Sequence, residues 1–122
     1  MMVCRGIRGA TTAEDNTREA IFAATKELFR QVVEANQIHE AQVAAVFLTT
    51  TQDLNAAFPA TAVREMGWDH TALLCSHEMA VPNSLPKCIR VLILVNTDKE
   101  PHQLVNIYLR GAVNLRSESM QP

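Results

Sequence analysis

The 122-residue chain has no excess of either charge. Eleven Lys and Arg stand against 13 Asp and Glu, for a net charge of −2 and a pI near 6.0. Such a surface has no basic field to draw nucleic acid or a membrane. Aromatic residues are sparse, at 5%, and no apolar run approaches the length of a membrane span. The three cysteines, Cys4, Cys75 and Cys88, form no CxxC and leave one over under any pairing. With no signal peptide visible, a reducing cytoplasm is the expected setting. There is no phosphate-binding glycine loop and no dinucleotide fingerprint. His70, Cys75 and His77 crowd one stretch at a spacing that fits no zinc pattern. No serine or cysteine has a convincing neighbouring base. Repeats, linkers and low-complexity segments are also missing, so one domain is expected over 1–116, with 117–122 as a flexible C-terminal tail.

What the chain does have is arginine in unusual places. Arg outnumbers Lys eight to three, which suits planar recognition of carboxylates. Arg90 lies near the start of the most apolar stretch, Cys88-Ile89-Arg90-Val91-Leu92-Ile93-Leu94-Val95, which reads as a strand buried on both faces. A guanidinium keeps its proton at any ordinary pH, and a buried unpaired charge costs several kcal/mol. Arg90 therefore needs an anion, either a carboxylate of the protein or an anionic ligand. Glu78 is the nearest obvious protein partner, and a bridge between two neighbouring strands would satisfy both groups. The segment Arg5-Gly6-Ile7-Arg8-Gly9-Ala10 favours the ligand, with two more guanidiniums and glycines that permit close approach. Side chains alternate along a strand, so only one of Arg5 and Arg8 can share a pocket with Arg90; Arg5 is expected to be structural. Tyr108, the single tyrosine, reads as a core residue with a satisfied hydroxyl, and Cys75 as a small buried hydrophobe. This inventory suits holding a small polyanion better than acid–base or covalent work.

The pattern predicts a strand over Val3 to Ala10, then a long helix. Asn16-Thr17-Arg18-Glu19 has capping-box logic with Asn16 as the cap. Ile21, Ala24, Leu28, Val32 and Ala35 recur at helical spacing, widened by Phe22, Phe29 and Val33, with Asn36 as a left-handed stop. Val43 to Thr50 is a second strand. Pro59 to Met66 is a short helix, opened by Pro59 and ended by Gly67. Thr71 to His77 and Cys88 to Asn96 are strands three and four. Pro101 opens a third helix with Leu104, Val105, Tyr108 and Leu109 on its apolar face, and Ala112 to Arg116 is the fifth strand. The order implies an α+β (α/β-like) fold: a five-stranded mixed sheet with one long helix and two short helices on one side. Its other face stays exposed unless another subunit covers it, so a homo-oligomer is expected.

The chain resembles the monofunctional, non-helical (AroH-class, Bacillus-type) chorismate mutases over nearly its whole length. The marks are Arg5-Gly-Ile-Arg8-Gly-Ala-Thr-Thr12, Asp53-Leu with Ala57-Phe58-Pro59-Ala60, and Ala62-Val63-Arg64-Glu65. Further on come Cys75 with Glu78-Met79, Lys87-Cys88-Ile89-Arg90-Val91, Val105 with Tyr108-Leu109, and Leu115-Arg116. In this order and spacing they are jointly specific. The resemblance implies a homotrimer of the pseudo-α/β-barrel, chorismate mutase-like type, with active sites at subunit interfaces. It implies rearrangement of chorismate to prephenate on the shikimate pathway to phenylalanine and tyrosine, with no cofactor, metal, nucleic acid or membrane involved. That Claisen rearrangement is unimolecular and transfers no proton, so the enzyme must hold the reactive conformer and stabilise charge on the breaking ether oxygen.

By the same resemblance Arg90 is the electrostatic catalyst, acting on the ether oxygen and a carboxylate. Arg8, helped by Tyr108, binds a substrate carboxylate. Glu78, with Cys75 nearby, accepts the ring hydroxyl and supports Arg90. Phe58, Ala60, Arg64, Leu115 and Arg116 wall or close the pocket, some from the adjacent subunit. Three departures from the family pattern stand out. Thr61 occupies a position where lysine is frequent, which removes a cation near the pocket mouth. Leu74 replaces a frequent threonine, and Asn83-Ser84 a frequent Gly-Gly. None touches Arg8, Glu78, Arg90 or Tyr108. Three rival readings are a trimeric enamine/imine deaminase, a non-catalytic module binding a small carboxylate, and a structural trimer with internal salt bridges.

Overall fold

The long helix forms where its apolar stripe and its cap coincide. In the computed structural model, which describes residues 1–115, helix α1 runs Arg18–Asn36 and buries Ile21, Phe22, Ala24, Leu28, Phe29 and Val32. Its cap is Thr17, whose hydroxyl accepts from the Ala20 N–H at 3.1 Å. Asn16 is not the cap as predicted. Its Oδ1 instead accepts from the N–H groups of Asn55 and Ala56, at 2.9 and 3.0 Å, and ties down the loop before the second helix. The left-handed residue at the far end is Gln37 (φ 53°) in place of Asn36. Asn36 turns inward, where its amide pairs with both the N–H and C=O of Val105 at 2.8 Å. That inward turn puts Asn36, not the exposed Ala35, at the end of the buried stripe.

The strands are β1 Val3–Thr12, β2 Val43–Thr50, β3 Leu73–His77, β4 Cys88–Thr97 and β5 Ile107–Tyr108. They form one mixed sheet in the order β3-β2-β4-β1-β5. β4 is antiparallel to both β1 and β2, while β2/β3 and β1/β5 are parallel. The short helix α2, Pro59–Glu65, begins on Pro59 and is followed by Gly67 at φ 95°. Both helices lie on one face of the sheet. There Leu28, Phe29 and Val32 of α1 and Val63 of α2 meet Ile7, Val46, Leu48, Val91 and Ile93 from the strands. Phe29 sets its ring edge-on to Trp68 at 4.8 Å.

The last third of the chain departs from its sequence pattern. Among the described residues no α-helix follows Pro101. A single 3-10 turn, Pro101–Gln103, gives way to extended chain and then to β5. Helical spacing of Leu104, Val105, Tyr108 and Leu109 loses to tertiary hydrogen bonding. Asn36 takes both polar groups of Val105, Asn106 Oδ1 accepts from Arg8 N at 2.8 Å, and Leu109 N donates to Ala10 O at 2.9 Å. The predicted strand from Ala112 is also replaced, by a 3-10 turn over Arg110–Ala112. It starts at a left-handed residue, Arg110 (φ 50°), whose guanidinium grips Glu27 of α1 with two bonds of 2.9 and 3.0 Å. Gly111 fits there because a Cβ would come within 2.9 Å of the Thr12 side chain. The sheet thus has five strands, but its fifth is Ile107–Tyr108. The predicted tail, 117–122, and Arg116 lie outside the described residues.

β4 is also not buried on both faces. Ile89, Val91, Ile93 and Val95 face the helices, while Leu92 on the opposite face is 37% exposed. Among the described residues, cover on that face comes at its end, where Ala112 and Leu115 pack on Ala10 and Cys88. No described helix is long and apolar enough to cross a membrane.

Candidate active site

The strand registers place the chemistry-bearing residues in rows across the open face. One row runs Leu74, Phe47, Leu92, Arg8 through β3, β2, β4 and β1. The next runs Ser76, Thr49, Arg90, Ala10, Tyr108 and reaches β5. Glu78 follows directly on β3, and its N–H extends the ladder by donating to Thr50 O at 2.8 Å. Its carboxylate then reaches over β2, where Thr49 Oγ1 donates to Oε2 and Arg90 Nη1 to Oε1 at 3.3 Å. The bridge therefore joins strands that are not neighbours, contrary to the simplest expectation.

Arg8, Thr49, Glu78, Arg90 and Tyr108, with Phe47 and Leu92, line a cavity of about 350 Å³. A smaller cavity of about 120 Å³ adjoins it across the ion pair and is walled by Met79, Val81, Leu85 and Cys88. Among the described residues, two guanidiniums and one carboxylate line the larger cavity, which suits an anionic ligand. The pair is partly sheltered, with each side chain 22% exposed, so its field is less screened than that of a surface pair. Arg5 points elsewhere, to Lys99 O at 3.2 Å and Glu100 at 3.5 Å. The alternation of β1 sends Arg8 alone to the cavity.

The remaining predicted residues form a second group. Phe58 (73% exposed) and Cys75 line a separate cleft with Asn55, Ser76 and His77. Ala60 is buried, Thr61 half-buried and Arg64 exposed, all on α2. Cys75 is not near the Glu78 carboxylate: alternation turns it to the helix side, where it packs on the core with Leu73. Burial pushes its thiol up, against a hydrogen bond with the Ala60 backbone and the charge of Arg64. Leu74 stands on the open face at 59% exposure. Leu115 is buried behind Cys88 and packs with Tyr108. Burial likewise raises the Cys88 thiol, to about 11, despite Arg90 nearby. Neither thiol is set up as a nucleophile.

The loop between Glu78 and β4 is held at its far end by Asp53, which accepts from Lys87 N at 2.9 Å. Partial burial works to raise this carboxyl, but the Thr51 hydroxyl and the Lys87 N–H outweigh it and hold it below the ordinary range. Asn83 sits in that loop at φ 64°, a conformation asparagine tolerates, so glycine is not required there. Sequence reasoning missed Thr49, Phe47 and Leu92. The alternation of buried Val46 and Leu48 with half-buried Phe47 and Thr49 was readable; which strands flank β2 was not.

Comparison with known proteins agrees with this geometry. The family described as chorismate mutase type I matches residues 4–119. A chorismate mutase AroH of Thermus thermophilus is 50% identical over 115 residues, covering 93% of this chain and 94% of its own. One of Bacillus subtilis is 44% identical over 118 residues, covering 96% and 93%. Among solved structures, a chorismate mutase from Clostridium thermocellum superposes with a TM-score of 0.87 at 49% identity, over 88% of this chain and 96% of that one. With sequence, fold and length all in register from end to end, the chain belongs to the type I chorismate mutase family.

Proposed function

We propose that the cavity beneath Arg8, Glu78, Arg90 and Tyr108 is the chorismate site of this chorismate mutase. The enzyme is an isomerase of aromatic amino-acid biosynthesis, and the reaction breaks the ether C–O bond as a new C–C bond forms, with no proton moved. Catalysis then requires a restrained conformer and a donor aimed at the oxygen that gains charge. Arg90 is that donor, and Glu78 orients it and accepts the ring hydroxyl. Arg8 and Tyr108 hold a carboxylate. The observation that carries the reading is that Arg8, Arg90, Glu78 and Tyr108 line one cavity, with Glu78 paired to Arg90.

The finer reading is a homotrimer with shared sites. The open face carries Leu74, Phe47 and Leu92 in one row, an apolar strip that the described residues leave uncovered. The second group, Phe58, Ala60, Thr61, Arg64, Cys75 and Leu74, lies apart from the cavity and would close it from an adjacent copy. Leu115, with Arg116 beyond it, would close the pocket from the C-terminal side.

The test is conversion of chorismate to prephenate by the purified chain across pH. With no proton transfer in the chemical step, kcat should stay nearly flat from about pH 6 to about pH 9. A bell centred near 7 would point to acid–base work, for instance by His77, and would contradict the mechanism. Absence of turnover by the folded oligomer would remove the function itself.

A further inference from the structure

Glu78 and Arg90 extend from two strands with a third between them. Adjacent strands lie about 4.8 Å apart, so the ion pair spans roughly 10 Å of sheet. The residue it crosses is Thr49, which is paired with Ser76 of β3 on one side and Arg90 of β4 on the other. β2 grips Glu78 twice, through Thr50 O on its backbone and through Thr49 Oγ1 on its carboxylate. The two hydroxyls are used differently. Thr50, on the helix side, serves Leu54 O and His77, whereas Thr49 serves the carboxylate and lines the cavity.

We infer that Thr49 is a positioning residue: its hydroxyl fixes the Glu78 carboxylate so that one oxygen meets Arg90 and the pair faces the cavity in a single arrangement. A glutamate side chain has several rotatable bonds and, if not held, would remain mobile in the bound complex and have to be ordered on the way to the transition state. A donor on Oε2 settles the carboxylate beforehand. The role is preorganisation, so its loss falls on the transition state more than on the ground state. This inference rests on the chorismate mutase reading above.

Thr49→Val keeps the shape and removes the donor, and Thr49→Ser keeps the donor. Steady-state kinetics with chorismate from about pH 4.5 to 9 would be read beside the thermal midpoint of each variant. In Thr49→Val kcat should fall about tenfold, with KM changed less than about threefold, as for loss of one hydrogen bond to a charged group. Serine should restore kcat. Thr49→Ala also lacks the donor, and it must show the same split if valine packs badly. An active wild type matched by both Thr49→Val and Thr49→Ala overturns this inference alone, as does a serine variant equally impaired. A folded wild type with no turnover overturns the mutase reading and this inference with it.

Discussion

The two faces of β4 differ sharply, although they alternate residue by residue. Ile89, Val91, Ile93 and Val95 are at most 3% exposed under the helices. Between them Arg90 faces a cavity and Leu92 is left 37% exposed. One side of the strand is packed by its own chain and supplies stability. The other carries a salt-bridged guanidinium and an apolar strip that the described residues leave uncovered, and these are the groups to which the proposed function is assigned. A strand that looks uniformly apolar in sequence thus carries two separate tasks, and substitutions one residue apart should fail in different ways.

The sharpest way to test that contrast is to substitute neighbours. Ile93→Ala, on the packed face, should cost about 2–5 kcal/mol of stability in chemical denaturation, through lost burial and the cavity left behind. Leu92→Glu should leave the circular dichroism spectrum intact and dissociate the proposed trimer in sedimentation velocity. Little loss from Ile93→Ala, or an unchanged oligomer in Leu92→Glu, would break the distinction between the faces.

A smaller effect concerns Cys88, buried at the covered end of the open face. Its thiol is raised from 9.0 to about 11, chiefly by burial. The unfolded chain therefore ionises first. The neutral thiol's contribution is complete below about pH 9 and is lost as pH rises toward 11. The loss should amount to about 2–3 kcal/mol, from 1.36 kcal/mol per pKa unit. Urea unfolding at pH 8 and pH 11 should show it in the wild type and not in Cys88→Ala. Equal alkaline losses in both would show that Cys88 is not the group responsible.

Much of the framework was legible in the sequence because local signals and tertiary demands agreed. Val43–Thr50 is a branched apolar run, and the strand has those bounds. Pro59 and Gly67 bracket α2 because one fixes φ and the other accepts a positive φ. The chain after Pro101 was misread because its helical spacing competes with long-range partners. Asn36 and the edge of β1 claim its backbone groups, and neither is visible locally. In the site, the need of Arg90 for an anion followed from charge alone, and family motifs pointed to Glu78, Arg8 and Tyr108. That Glu78 reaches Arg90 over β2, past Thr49, depends on strand order. No local pattern encodes that order.

The central claim is that Arg90 serves the reaction and not the fold. Its most direct test is the loss of chorismate ultraviolet absorbance with wild type and Arg90→Ala side by side, each checked for folding by circular dichroism. The account predicts a folded variant whose kcat is lower by about 100-fold to 1,000-fold, the usual cost of one preorganised donor. A folded Arg90→Ala that converts chorismate to prephenate at the wild-type rate would contradict it.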